Sequence, residues 1–147
     1  MSIQLLKGNV ISSKCDILVN TVNCEGVMGT GVALHFRNLF PSMYKKYKED
    51  CKRGVYQAGH IREYLNWNGV IILNFSTKDT WRDGSRLEWI ESGLIELRRY
   101  LEGTTYSIAI PALGCGNGGL DWGIVRGMVE GKLGDLSNVI ELYEPYR

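Results

Sequence analysis

Two glycine-rich segments, each directly after a short apolar run, constrain the fold of this 147-residue chain more than any other feature. The first, residues 25–31 (EGVMGTG), follows the run 16–22 (DILVNTV). The second, residues 114–119 (GCGNGG), follows the run 106–111 (YSIAIP). Apolar runs of this length are typical of buried strands, and glycine lets a backbone adopt positive φ and approach a ligand closely. Because a helical pattern follows each segment, both are expected to connect a strand to a helix.

The rest of the chain continues this alternation of strands and helices. The spacing of apolar residues predicts strands over 3–6, 16–22, 58–65, 69–75, 106–111 and 139–143. It predicts helices over 32–40, 42–51, 86–101 and 121–133. Ser85, with Glu88 three residues later, predicts a capping box at the start of the third helix. The pattern therefore predicts one α/β domain over residues 1–147, with three α/β/α layers and a mixed, largely parallel central sheet.

Composition places the chain among ordinary globular proteins. A hydrophobic content of 44% and a charged content of 22% argue against global disorder. The net charge of +1 neither favours nor excludes nucleic acid, because a binding patch needs only local charge. The sequence has no secretory signal and no apolar run near the roughly 20 residues needed to cross a bilayer. A soluble, cytoplasmic monomer without membrane contact is expected.

The cysteines and histidines do not form a metal-binding pattern. The four cysteines have no C-x-x-C spacing, and the chain contains two histidines. No metal site is therefore expected. In a reducing compartment most of these cysteines are expected to be small buried hydrophobic residues. Cys115, in the second glycine segment, is a candidate nucleophile if a base lies beside it.

The two glycine segments predict a ligand site at one edge of the sheet. In an open α/β sheet, ligands bind beyond the carboxyl ends of the strands. Successive glycine N–H groups and a helix N-terminus there form a site for an anion. Neither segment is a P-loop or a complete dinucleotide-binding motif. A bound diphosphate or similar anion is therefore favoured, with Asn23 placed to contact a sugar hydroxyl and Asn20 to hold the loop backbone.

The segments DILVNTVN, VMGTGVALHF and PALGCGNGGLDW, in this order and spacing, resemble the macrodomains, which bind ADP-ribose. The resemblance is to the branch that contains the DarG antitoxins and the terminal ADP-ribose protein glycohydrolases. It extends from KGNVI to VIELY and implies that the glycine segments enclose the diphosphate and the distal ribose. The implied ADP-ribose contacts are Asn9, Val10, Asn23, Met28, Gly29, Thr30, Gly31, Val32, Leu113, Gly114, Cys115, Gly116, Asn117, Gly118, Gly119, Leu120 and Tyr143.

The end of the site that would hold adenine departs from the family pattern. Many macrodomains have an aspartate that accepts a hydrogen bond from the adenine amino group, and this chain has Asn9 in that place. An amide carbonyl can still accept this bond, but without a charge. Tyr143, at the end of the last predicted strand, is placed like an adenine-stacking aromatic residue. A tyrosine of the core or sheet edge is an equal alternative.

Lys78 is the candidate catalytic residue. It follows the strand predicted over 69–75 and so is expected at the same edge of the sheet as the glycine segments. Most lysines at a surface are only solvated, and an amine must lose its proton before it can attack. In the glycohydrolase branch, however, a lysine in a Thr-Lys motif after this strand attacks the distal ribose. Thr77 and Lys78 match that motif, which implies catalysis without a metal or a diffusible cofactor.

The sequence after Lys78 favours DNA as the substrate. Its W-R pair and SRLEWIESGL resemble the DarG antitoxins, which remove ADP-ribose from thymine bases in single-stranded DNA. Protein-directed glycohydrolases use an aspartate just after GCG, where this chain has Asn117; Asp121 is expected to cap a helix. A single strand would be bound by a stacking aromatic and cations. The residues proposed for this are Trp81, Arg82 and Arg86. The resemblance also implies an ADP-ribosyltransferase toxin as a partner.

Three other functions remain open at this point. The chain could hydrolyse ADP-ribose esters on protein glutamate or aspartate. It could also be an ADP-ribose 1″-phosphate phosphatase, which would need acid–base groups near the phosphate. His35, expected on an apolar helix face, is a poor candidate for that role. Finally, the chain could bind ADP-ribose without catalysis.

Overall fold

Six strands and four α-helices form the fold in the computed structural model, which describes residues 3–145. The strands are β1 (Ile3–Leu6), β2 (Ile17–Val22), β3 (Ile61–Leu65), β4 (Ile71–Ser76), β5 (Ile108–Ile110) and β6 (Ile140–Tyr143). The helices are α1 (Gly31–Leu39), α2 (Pro41–Lys52), α3 (Leu87–Leu101) and α4 (Trp122–Leu133). Every predicted strand and helix is present, with ends that differ by at most a few residues. The first two and last two residues of the predicted domain lie outside the described residues.

The sheet is mixed and largely parallel, as the sequence predicts. Its strand order is β1-β6-β5-β2-β4-β3. β3 is antiparallel to β4, and the other neighbouring pairs are parallel. Val22 at the end of β2 pairs with Ser76 at the end of β4, so the two strands end side by side at the same edge of the sheet. The carboxyl ends of the parallel strands consequently form one edge of the sheet.

Side chains alternate along the strands between two apolar layers. On one face, Val19 and Phe75 pack with the leucines of α3 and the valines of α4. On the other face, Leu18 and Ile72 pack with buried residues of α1 and α2, such as Phe36. Burial on both faces is the reason that the strands read as almost continuous apolar runs. The predicted three-layer α/β/α arrangement is therefore confirmed.

α3 packs directly on β4 because one of its residues has no side chain. A Cβ atom added at Gly93 would lie 2.1 Å from Cζ of Phe75, which is fully buried. Gly93 is itself buried within α3. The glycine, which is unfavourable in a helix interior, is thus required by this close approach.

The predicted cap of α3 is wrong, whereas that of α4 is confirmed. Arg86 occupies the N-cap position of α3, and its side chain makes no capping hydrogen bond. Ser85 is instead held against the second glycine segment, since its N–H donates to the carbonyl of Gly118 at 3.0 Å. Asp121 caps α4 through Oδ2, which accepts from the N–H of Ile124 at 3.1 Å. Ser85 does not cap α3 because it is bound to another loop, a contact that the local sequence does not reveal.

The length and polarity of a helix decide whether it can span a membrane. Among residues 3–145, the longest helix is α3, with 15 residues. No helix in this part of the chain is long and apolar enough to span a bilayer.

We predict that Gly93→Ala lowers the free energy of unfolding by about 1–3 kcal/mol, because the new methyl group overlaps Phe75 in a packed core. Urea denaturation followed by circular dichroism measures this change. Gly127→Ala is the matched control, since a Cβ added there meets nothing within 4 Å. It lies on α4 and is exposed, so alanine should raise stability by up to ~1 kcal/mol. Equal stability of the two variants would contradict the packing argument.

Candidate functional site

A cavity of about 810 Å³ lies at the carboxyl edge of the sheet. This volume is within the range of about 300–1,000 Å³ that is typical of small-molecule sites. The cavity is lined by the loops that follow β1, β2, β4, β5 and β6. Both glycine segments and the segment that carries Lys78 therefore meet at one site, although they are far apart in the sequence.

Most of the predicted site residues line this cavity. Those from the predicted ADP-ribose contacts are Val10, Asn23, Gly29, Thr30, Gly31, Val32, Gly114, Cys115, Gly116, Asn117, Gly118 and Tyr143. Lys78, Trp81 and Arg82 line it as well. The structure thus brings these residues together, while the ligand contacts assigned to them remain predictions.

The strand order makes the cavity long. Tyr143 ends β6, whereas Lys78 follows β4. Two strands, β5 and β2, lie between these two strands. Three spacings of about 4.8 Å place the ends of β6 and β4 about 14 Å apart. The glycine segments follow β2 and β5, and so they occupy the middle of the cavity.

The first glycine segment is held in shape by Asn23. Its Oδ1 accepts from the N–H of Glu25 at 3.0 Å and from the hydroxyl of Tyr47 at 2.9 Å. Its Nδ2 donates to the carbonyl of Val27 at 2.8 Å. The sequence assigned the loop backbone to Asn20, which is wrong: Asn20 Nδ2 donates within the sheet to Asn74 Oδ1 at 3.1 Å and contacts the loop at a side chain, Sδ of Met28, at 3.8 Å. The predicted contact of Asn23 with a ribose remains a prediction.

The second glycine segment can close only if position 118 has no side chain. A Cβ atom there would lie 2.4 Å from the carbonyl oxygen of Gly114 and 2.4 Å from Oγ of Ser85. Gly114 adopts a φ of +71°, where a side chain is strained. The amide of Asn117 reaches across the cavity, and its Nδ2 donates to Oγ1 of Thr30 at 2.8 Å. This bond joins the two glycine segments.

The segment after β4 is attached to the first glycine segment. Its backbone begins with a bond from the N–H of Thr77 to the carbonyl of Val22 at 3.0 Å. The N–H of Cys24 then donates to the carbonyl of Asp79 at 3.0 Å. Lys78 is half-buried, and its Nζ donates to the carbonyl of Trp81, three residues further along the segment, at 3.3 Å. Lys78 and Trp81 both line the cavity, so this bond lies at its β4 end.

The charges around the cavity are unevenly distributed. Lys78 and Arg82 contribute cations at the β4 end. Glu144 is the only acidic residue among the described residues of the lining, and it follows β6 at the opposite end. With glycine N–H groups in the middle, this arrangement suits a ligand whose anionic part lies between its two ends.

Cys115 is not an activated thiol. Burial, with a smaller contribution from Asp121, raises the pKa of Cys115 to about 11. Its Sγ donates to the carbonyl of Leu113 at 3.4 Å. Because the thiolate is the nucleophilic form, a thiol with this pKa is almost wholly protonated and unreactive at neutral pH. The alternative of cysteine catalysis at this position is therefore disfavoured.

Six predicted site residues lie outside the cavity lining: Asn9, Met28, Leu113, Gly119, Leu120 and Arg86. Met28 and Leu113 are buried beneath the loops. Asn9 Oδ1 caps the short 3-10 turn Val10–Ser12 by accepting from the N–H of Ile11 at 3.1 Å. Arg86 pairs with Glu88 at 3.3 Å. These residues lie beneath or beside the cavity lining, and their contacts with a ligand or with DNA stay predictions.

Tyr143 is a largely buried residue that also lines the cavity, and its stacking on adenine stays a prediction. It lines the cavity, yet only 8% of its surface is exposed. Its hydroxyl donates to Oε1 of Glu141 at 2.8 Å. Burial, followed by this bond to Glu141, raises the pKa of Tyr143 to about 12. A ring fixed in this way can form a flat wall of the cavity beside the end of β1.

The sequence did not identify several lining residues. The clearest are Gly8, Thr21, Ala112 and Glu144. Each lies at or just after the end of a strand whose position the sequence predicted. The signal was therefore present, because residues that follow the carboxyl ends of parallel strands are expected at the ligand edge.

Neither metal nor histidine chemistry is indicated at this site. Among residues 3–145, no three His, Cys, Asp or Glu side chains are grouped closely enough to hold a metal ion. His35 is exposed, so its predicted place on an apolar helix face is wrong. Its Nδ1 lies 2.6 Å from Nδ2 of Asn9, and His35 does not line the cavity.

Known proteins that resemble this chain in sequence and those that resemble it in structure indicate the same family. Residues 19–129 match the Macro domain family. A DNA ADP-ribosyl glycohydrolase of Thermus aquaticus is 43% identical over 148 residues, which include 97% of this chain and 41% of that protein. Its counterpart in Mycobacterium tuberculosis is 44% identical over 78% of this chain and 34% of that protein. The chain thus spans well under half the length of these relatives.

Solved structures agree with this result. The macrodomain of Mycobacterium tuberculosis DarG has a TM-score of 0.92 at 39% identity, with 98% of both chains covered. The macrodomain of Thermus aquaticus DarG has a TM-score of 0.89 at 41% identity, covering 97% of this chain and 98% of that one. Sequence match and fold lead to one conclusion: this chain belongs to the macrodomain family.

Proposed function

We propose that this chain is an ADP-ribosyl glycohydrolase that removes ADP-ribose from DNA through Lys78. The observation that carries the proposal is the position of the Lys78 amine, at the end of a long cavity whose middle is formed by two glycine segments. ADP-ribose has a diphosphate between its adenosine and its distal ribose. With the diphosphate on the glycine segments and adenosine toward Tyr143, the distal ribose would lie next to Lys78.

The proposed chemistry breaks one bond at the distal ribose. The Lys78 side chain first gives its ammonium proton to solvent. The neutral amine then attacks the anomeric carbon, and the bond from this carbon to the nitrogen of the modified base breaks. The electron pair of that bond leaves with the base, which takes up the proton that the amine releases. Water then hydrolyses the new carbon–nitrogen bond, which frees ADP-ribose and restores the amine.

Two observations support DNA rather than protein as the substrate. First, the relatives that are 43–44% identical are named DNA ADP-ribosyl glycohydrolases. Second, the second glycine segment has Asn117 and no carboxylate just after Gly116, where an ester hydrolase of the related branch would carry one. Asp121, the nearest candidate in sequence, is occupied as the cap of α4.

The mouth of the cavity suits a single strand bearing a modified thymine. Trp81 is 49% exposed there, and the guanidinium carbon of Arg82 lies 4.9 Å from its ring centroid. An exposed ring beside a cation can stack an unpaired base next to the backbone phosphates. We therefore propose single-stranded DNA as the substrate and Trp81 with Arg82 as its contact.

A transferase is the proposed partner. A relative in Thermosipho africanus, 31% identical over 98% of this chain, is named as a fusion of a DNA ADP-ribosyl transferase with a DNA ADP-ribosyl glycohydrolase. The chain covers 42% of that protein. A solved structure of Thermosipho africanus DarTG, with a TM-score of 0.90, contains ADP-ribose. These likenesses support an enzyme that reverses the product of a cognate transferase.

We predict that Lys78→Ala lowers kcat and kcat/KM together by roughly 100-fold or more, because a group that takes part only in the chemical step is removed. Release of ADP-ribose from a single-stranded oligonucleotide modified on thymine measures turnover. Calorimetry with free ADP-ribose should give a Kd close to that of the wild type.

Lys14→Ala is the matched control, since Lys14 is exposed just before β2, at the opposite edge of the sheet. It should retain wild-type turnover.

A modified glutamate peptide serves as the second substrate. Release from the peptide alone would assign the chain to the ester hydrolases. Tight ADP-ribose binding without release from either substrate would make it a binding module.

We predict that Trp81→Ala weakens binding of a modified oligonucleotide by about 1–3 kcal/mol, because one stacked base loses its platform. Fluorescence anisotropy with labelled single-stranded DNA measures this affinity. The loss should exceed any change in the binding of free ADP-ribose, since only the modified strand offers a base that can stack on the ring. Trp67→Ala is the control: Trp67 is 91% exposed between β3 and β4, at the far edge of the sheet. Equal losses in the two variants would refute a specific strand contact at Trp81.

A further inference from the structure

We infer that Glu25 is a positioning residue for Lys78. Its carboxylate holds the segment that carries the lysine against the first glycine segment, and so fixes where the amine lies in the cavity. The inference rests on the proposed reaction at Lys78, and it assigns Glu25 no contact with the substrate.

One end of this connection is anchored in the core. The N–H of Glu25 donates to Oδ1 of Asn23 at 3.0 Å. The same Oδ1 accepts from the hydroxyl of Tyr47, a side chain that is only 1% exposed. The hydroxyl of Tyr47 also lies 2.7 Å from the carbonyl oxygen of Asn23. The backbone of Glu25 is therefore fixed relative to α2 and the end of β2.

The other end reaches the catalytic amine. Oε1 of Glu25 accepts from the N–H of Trp81 at 3.0 Å. The carbonyl of Trp81 in turn accepts from Nζ of Lys78 at 3.3 Å. A backbone N–H bound to a carboxylate makes a charge-assisted hydrogen bond, which is stronger than a neutral one. Two hydrogen bonds and one residue thus connect the Glu25 carboxylate to the lysine amine.

Few other bonds hold this part of the segment. Between β4 and α3, two bonds from Cys24 restrain the segment at and just after Lys78: its Sγ donates to the carbonyl of Lys78 at 3.5 Å and its N–H to the carbonyl of Asp79 at 3.0 Å. Further along the segment, the bond from Trp81 to Glu25 is the next bond to another part of the chain among the described residues. Thr80 and Asp83 bind each other within the segment, at 2.8 Å. Loss of the Glu25 acceptor therefore frees the carbonyl to which the amine is bound.

Displacement of a reacting group by about 1 Å can cost on the order of 100-fold in rate. Glu25 is exposed, so removing its carboxylate changes the folded core little. The expected signature is a loss of rate that is much larger than the loss of stability or of ADP-ribose affinity. A purely structural role would reduce stability and affinity together with the rate.

The test compares Glu25→Ala with Glu25→Gln. The glutamine keeps a carbonyl oxygen for the N–H of Trp81, whereas alanine has no acceptor. We expect kcat on the modified oligonucleotide to fall about 10-fold or more in Glu25→Ala, with the Kd for free ADP-ribose within about twofold of the wild type. Glu25→Gln should recover most of the lost rate. Glu49→Ala, an exposed glutamate on α2, is the matched control.

Three results would overturn the inference: wild-type kcat in Glu25→Ala, an equal loss of rate in Glu25→Gln, or a loss of ADP-ribose affinity that matches the loss of rate. Amide hydrogen exchange at Trp81, followed by NMR, tests the contact without catalysis. Exchange should be faster in Glu25→Ala than in the wild type and in Glu25→Gln. If the wild type releases no ADP-ribose, the proposed function fails, and the exchange rates still decide whether Glu25 holds the segment.

Discussion

A hydrogen bond between two buried asparagines sets the alignment on which the site depends. Asn20 and Asn74 lie directly opposite each other on β2 and β4, 0% and 2% exposed, and their amides are 3.1 Å apart. A slip of one residue would turn every side chain of a strand to the other face and break the bond between these two buried amides. A buried unpaired amide costs about 1–3 kcal/mol. This register brings Val22 level with Ser76, and the two loops that follow consequently meet.

Much of the fold could be predicted because its causes are local. Apolar runs predicted the strands, and apolar residues three and four positions apart predicted the helices. The glycine segments marked the edge of the sheet where a ligand is expected. The residues at the carboxyl ends of the strands, including Lys78 and Gly114, were located for the same reason. Resemblance to a family then added what no spacing can provide, namely which ligand such an edge is expected to bind.

The remaining features depend on contacts between residues far apart in the sequence. Serine is a common helix N-cap residue, but the backbone N–H of Ser85 is bound to the carbonyl of Gly118. Asn20 and Asn23 are three residues apart and of identical type, and only the position of Tyr47 and Asn74 decides which one holds the loop. The partner of Glu25 is 56 positions away. Local periodicity carries no information about such pairs, whose geometry exists only once the sheet has formed.

The pairing of β1 with β6 has a consequence for how binding and folding are coupled. β1 is a four-residue edge strand whose one neighbour among the described strands is β6. Gly8, just after β1, and Tyr143, at the end of β6, form one end of the cavity. The segment that matches the family, residues 19–129, contains neither strand. A ligand that fills the whole cavity therefore favours molecules in which this edge is closed over those in which it has frayed. At a concentration 100 times its Kd, such a ligand would oppose that opening by about 2.7 kcal/mol.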